Sequence, residues 1–196
     1  MRYKREAELV FDLSPPPPQR QQKQHPTQPT LRYIADAPCP PEKQFFLDHI
    51  RAHLLSIPEL AQSPRRLLAA VAGAWDQACA VSEQIRRLNL SFPTTTTTTT
   101  APTAAGGGVS VVASVLLVPL QTRVEVVLGL EASGADVVVA PGARVVYGEG
   151  FNPGKMREFL AGRVGGAAVG RMGWDEAVLG LHGMLLAKGK RRVGGE

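Results

Sequence analysis

From Tyr3 to Phe11 alternate positions hold Tyr3, Arg5, Ala7, Leu9 and Phe11, set against Arg2, Lys4, Glu6, Glu8, Val10 and Asp12. A period of two marks a half-buried strand, and no strand-like segment precedes it to pair with it. Residues 14–29 contain four consecutive prolines and a Gln/Lys-rich stretch. They hold too few apolar side chains to offset the entropy of ordering, which predicts a disordered loop. Leu31 to Ile34 predict a returning strand. From Pro40 the period changes to that of a helix. Phe46, Leu47, Ile50, Leu54 and Ile57 follow Pro40-Pro41-Glu42, and proline is tolerated in a first turn, where its missing N–H has no partner to lose. Pro58 ends that helix. Ser63-Pro64 is a second start signal. Leu67, Leu68, Val71, Trp75, Ala78, Val81, Ile85 and Leu88 then keep one apolar face for about seven turns, ending before Phe92-Pro93.

Seven threonines, Thr94 to Thr100, and the glycine run to Gly108 read as a low-complexity insert over residues 93–108, with nothing to bury. Alternation resumes in Ser110–Val118, in Arg123–Glu131, in Asp136–Ala140 and, after a predicted Pro141-Gly142 turn, in Arg144–Tyr147. The spacers are too short for crossover helices, so the four strands are expected to run antiparallel. Asn152-Pro153 caps a helix carrying Met156, Phe159, Leu160 and Val164. Trp174 opens a last one with Val178, Leu181, Met184 and Leu185. A helix, a four-stranded antiparallel meander and two helices predict an α+β domain over residues 58–190, one sheet face covered and the other free. A basic tail follows at residues 191–196.

The 196 residues are 44% apolar, enough for a core, and the 20 glycines and 16 prolines fit compact segments separated by long connections. The net charge of +5 is spread along the chain rather than gathered into a stripe, so direct nucleic-acid binding is not expected. The longest apolar stretch, Val109 to Leu120, is too short and too interrupted to cross a bilayer, and Met1 to Glu8 lack a signal-peptide core. Cys39 and Cys79 read as reduced thiols, without the spacing of a metal site or a disulfide framework.

The search for reactive chemistry finds none. His49 and His53 stand four apart on a helix, but Ile50 occupies the place of a metalloprotease glutamate, and no third ligand is near, so both read as surface histidines. Gly148-Glu149-Gly150-Phe151-Asn152-Pro153-Gly154 imitates a dinucleotide fingerprint. Its third glycine is one residue late and no βαβ unit follows, so it reads as a turn and a helix cap. Lys188, Lys190, Arg191 and Arg192 form either a nuclear-localisation or phosphate-contacting patch or a solubilising end. No cofactor, metal or small-molecule substrate is expected, and the chain reads as non-enzymatic.

Several collinear segments resemble the C-terminal region of the fungal blinkin family, the scaffold subunit of the KMN network at the outer kinetochore. They are Tyr3–Glu6 through Phe11-Asp12, Leu31–Ile34, Pro41–Leu47, Trp75-Asp76, Ile85–Asn89, Leu116–Val126 and Val145–Glu149. The resemblance implies a tandem pair of RWD domains. Residues 1–57 would then be the closing part of the first and residues 58–190 the second. It also implies a nuclear protein of the centromere and kinetochore that binds the tail of a MIND complex subunit, beside a small coiled-coil kinetochore partner, in chromosome segregation. The family's coiled coil, phosphorylatable repeats and phosphatase-docking motifs are missing here, which suggests a fragment of a longer scaffold. A peptide could dock against the junction helix through Leu47, Ile50 and Leu54, which serve equally well as plain core. Two other classes stay open: an accessory domain of a ubiquitin-related pathway, because RWD folds resemble conjugating enzymes without their cysteine, and a basic nucleic-acid binder.

Overall fold

A computed structural model describes residues 2–3, 6–10, 30–57, 63–99, 108–133, 136–148, 150–164 and 173–193. The chain divides into two compact units, Met1–Ala78 and Cys79–Glu196. The division falls inside a long helix, whereas the sequence sets the junction at residue 57. The stretch expected to be a disordered loop, residues 14–29, lies outside the described residues, as does Pro58.

The first unit contains β1 (Arg2–Tyr3), β2 (Ala7–Val10) and β3 (Thr30–Tyr33), antiparallel in that order, followed by α1 (Pro41–Ala52). The opening alternation therefore makes two strands, not one. Tyr3 pairs with Ala7 across a turn that includes Glu6, so the segment expected to lack a partner supplies its own. Helix α1 opens on proline and buries Phe46, Leu47 and Ile50. It stops sooner than the apolar spacing suggests, giving way to a 3-10 turn at Leu54–Ser56. There the Ser56 hydroxyl lies 2.9 Å from the carbonyls of both Ala52 and His53, satisfying groups that the ending helix leaves open. Two polar contacts fasten α1. Arg51 donates from Nε and Nη2 to the Leu31 carbonyl at 3.0 and 2.8 Å, and Lys43 Nζ donates to Glu6 Oε2 at 2.7 Å.

Helix α2 (Pro64–Ser91) begins where Ser63-Pro64 predicts and runs on into the second unit. That unit continues with β4 (Thr94–Thr99), β5 (Gly108–Leu117), β6 (Thr122–Ser133), β7 (Asp136–Tyr147), α3 (Pro153–Val164) and α4 (Trp174–Val193). The sheet order is β4-β5-β6-β7 with every neighbour antiparallel, so the expected α+β class and a four-stranded antiparallel sheet are found, although the four strands expected between Ser110 and Tyr147 make only three and the fourth is β4. Two of its strands differ from the expectation. Thr94–Thr99 are a strand and not an insert, paired from Thr94↔Ala113 to Thr99↔Gly108. Threonine is β-branched and favours extended backbone, and pairing with β5 adds the ladder that composition alone does not reveal. The predicted Pro141-Gly142 turn is also absent. β7 passes straight through it, opposite Leu128 and Val127, and Gly142 does not take the positive φ that a type II turn would ask of it. Since β7 is an outer strand of the sheet, a proline can sit there without breaking a ladder on its far side.

Alternation decides which sheet face is covered. Val109, Val111, Ala113, Val115 and Leu117 of β5 are buried together with Val124, Val126, Leu128 and Leu130 of β6. Leu88, Met156, Leu160, Trp174, Val178, Leu181 and Leu185 are among the buried helical side chains of this unit, joined by Phe92 just beyond α2. The opposite face, with Val112, Glu125 and Val127, is half-exposed. The N-terminus of α4 is fixed by α2: the Trp174 backbone N–H donates to Gln84 Oε1 at 2.9 Å. Helical backbone extends to Val193, so the expected basic tail at 191–196 starts inside the helix.

Candidate peptide-binding groove

Leu47 and Ile50 of α1 and Leu54 of the 3-10 turn that follows are 1%, 0% and 8% exposed, so in this structure they pack as core side chains. His49 is buried as well, not on the surface; its ring lies 4.8 Å from that of His53 and 6.5 Å from that of Phe45. Among the described residues no three His, Cys, Asp or Glu side chains stand close enough to hold a metal ion. Burial pushes the Cys39 thiol up to about 11, so at neutral pH it is protonated and a poor nucleophile. Asn152 caps α3 as expected, its Oδ1 accepting from the backbone N–H groups of Gly154 and Lys155 at 2.8 and 3.3 Å.

Exposed apolar side chains occur singly at Leu90 and Leu179 and gather at the end of the sheet where β5 leaves, β6 enters and β7 finishes. Leu116, Val118, Val146 and Tyr147 are all exposed there. A β-bulge puts two of them in place. Arg123 pairs with Tyr147 while the adjacent Val124 pairs with Val145, so Val146 is the extra residue on β7. An extra residue shifts the alternation by one. Tyr147, which strict alternation from Val145 would turn to the core, is carried instead into a row with Leu116 and Arg123 on the open face. There Leu116 and Tyr147 are 51% and 48% exposed.

These side chains wall a groove of about 560 Å³, completed by Ser91, Phe92, Pro93, Ser114 and His182. The groove exists because β4 starts late. The Ser114 N–H donates to the Pro93 carbonyl at 2.9 Å, and β4 begins at the next residue. In an antiparallel ladder the backbone groups of alternate residues point to the same side. The N–H and C=O of Leu116 therefore face the edge that Ser114 shares with Pro93, beyond the reach of β4. The floor is aromatic: Phe92 and His182 meet edge to face with centroids 6.3 Å apart. Charge is supplied by Arg123. Its Nη2 donates to Glu125 Oε1 at 3.3 Å, but Glu125 is also held by Arg144 at 2.6 Å, and Arg123 Nε is buried without a hydrogen-bond partner. One carboxylate between two guanidinium groups leaves the rim positive.

Comparison of the chain with protein-family models, with curated proteins and with solved structures returned no match. The groove is consequently read from its own chemistry, which is that of a strand-accepting edge: backbone groups of Leu116 directed past the start of β4, apolar anchoring surface on Leu116, Phe92 and Tyr147, and a positive rim at Arg123. The groove was not found from the sequence because it depends on a bulge and on the start of a strand hidden in a threonine run. One signal was present: three consecutive non-polar residues, Val145-Val146-Tyr147, break the alternation of β7.

Proposed function

We propose that the chain is a non-catalytic protein-interaction module, an RWD-type domain of the kind found at the C-terminus of the blinkin family. In this reading it binds the tail of a MIND complex subunit at the outer kinetochore, so linking centromeric chromatin to spindle microtubules. The observation that carries the binding function is the groove beside β5, where an extended tail can add backbone hydrogen bonds at Leu116 and bury an apolar side chain against Phe92 and Tyr147. Support for the RWD assignment comes from the order α2, four-stranded antiparallel meander, α3, α4, together with the collinear resemblance of Leu116–Val126 and Val145–Glu149, segments that contain the groove residues Leu116, Arg123 and Tyr147.

Titration of the full chain with tail peptides from each MIND subunit tests the reading. One tail is expected to bind, and Leu116→Arg, which fills the groove with an exposed charge, weakens it at least about tenfold, or about 1.4 kcal/mol. Circular dichroism should be unchanged, because Leu116 is exposed. If Leu116→Arg binds as tightly as the wild type, the groove is not the site. If no MIND subunit binds, the kinetochore assignment falls.

A further inference from the structure

Strand β4 forms an outer edge of the sheet, and among the described residues no strand lies on its other side. The hydrogen bond from Ser114 N–H to Pro93 O sets the phase of the ladder: Thr95 and Thr97 direct their backbone groups to β5, while Thr94, Thr96 and Thr98 direct theirs outward. Protein edges are ordinarily guarded by a lysine, a proline, a bulge or a short length. β4 has none of these. It is six consecutive uncharged β-branched residues in an unbroken register.

We propose that this edge pairs with the same edge of a second copy of the chain, joining two four-stranded sheets into one continuous antiparallel sheet across a two-fold axis. The sequence itself argues for this occupant. A two-fold interface must be self-complementary, and a run of one residue type meets that condition: with Thr96 on the axis, Thr94 lies opposite Thr98 of the partner subunit. Cross-strand threonine pairs are favourable, and no like charges meet. The inference stands apart from the groove reading, which concerns β5 and β7.

The experiment is light scattering on the full chain over a concentration series up to about 100 µM, which resolves dimers with dissociation constants up to about that concentration. The wild type should approach twice the chain mass of 21.0 kDa. Thr96→Pro removes an outward N–H and leaves the β5 ladder intact, and it should stay at the single-chain mass with an unchanged circular dichroism spectrum. Thr97→Lys, which places a charge on the exposed side of the same edge, gives the same result should the proline variant not fold. A wild type that remains at 21.0 kDa throughout, or folded edge variants that still double in mass, overturns the proposal. MIND-tail affinity is measured in parallel. Loss of dimer with unchanged tail binding is expected, and it separates the two readings.

Discussion

Gly148 follows β7 with φ of +92°, a region that costs an L-residue about 1–2 kcal/mol. Space is a second obstacle. A Cβ added there would stand 2.8 Å from Thr122 Cβ and 2.9 Å from Thr122 Cα, and closer still to the hydroxyl. Thr122 is buried, and its hydroxyl donates to the Leu120 carbonyl at 2.9 Å. Rotating the side chain away loses that bond, and moving its Cα moves β6. Overpacking of this kind typically costs about 1–3 kcal/mol, so Gly148→Ala should destabilise the second unit by about 2–5 kcal/mol. Gly162 is the control. It lies in α3 with nothing within 4 Å of an added Cβ, and alanine there should stabilise by about 0.5–1 kcal/mol. Urea unfolding followed by fluorescence in a Trp75→Phe background reports this unit through Trp174. With a slope of about 2 kcal/mol per molar, the Gly148→Ala midpoint should fall by about 1–2.5 M while that of Gly162→Ala rises slightly. A Gly148→Ala midpoint indistinguishable from wild type would refute the argument from both strain and crowding.

Gln84→Ala removes the acceptor of the Trp174 N–H and should cost about 1 kcal/mol, read in the same urea assay; a neutral result would mean that solvent satisfies that N–H equally well. Hydrogen bonds from Arg86 and Arg87 lower the exposed Glu83 carboxyl from its ordinary 4.5 to about 2. Since the folded value is the lower one, any stabilisation is present above pH 4.5 and is lost as pH falls through about 2. The melting temperatures of wild type and Glu83→Gln should therefore differ slightly at pH 7 and converge near pH 2. Because the cluster is exposed, about 1 M salt should shrink the difference at neutral pH. A difference that persists unchanged at low pH would assign the effect to something other than the carboxylate charge.

Long-period features were legible in the sequence. The apolar face from Leu67 to Leu88 gave α2, and Ser63-Pro64 its start, because a helix of this length repeats its signal many times and one stop signal is enough to end it. Trp75 and Trp174 are buried as their helical stripes require. Positions where a local signal has two physical outcomes were misread. Pro141-Gly142 makes a turn in isolation, but an outer strand flanked by apolar alternation accepts both residues. A threonine run carries no period, so neither a strand nor a loop could be told from it. His49 and Phe45 sit four apart on the same face of α1, and only packing shows that a histidine can be buried with its neighbours.

The groove and the edge share a cause. Uniform alternation, followed without interruption, buries one sheet face and exposes the other, and leaves no concave surface for a partner. Where it is interrupted, by an extra residue at Val146 and by the late start of β4 after Pro93, side chains and backbone groups turn toward solvent together. Both interruptions fall beside the same stretch of β5, at Leu116. Removing either one isolates its contribution. Deleting Val146 makes Tyr147 the direct successor of Val145, so Tyr147 keeps its place opposite Arg123 on the open face and tail binding should survive the loss of the bulge; Tyr147→Ala in the intact strand removes the aromatic wall and should weaken binding, and unchanged binding by that variant would mean that the backbone of Leu116 is sufficient on its own.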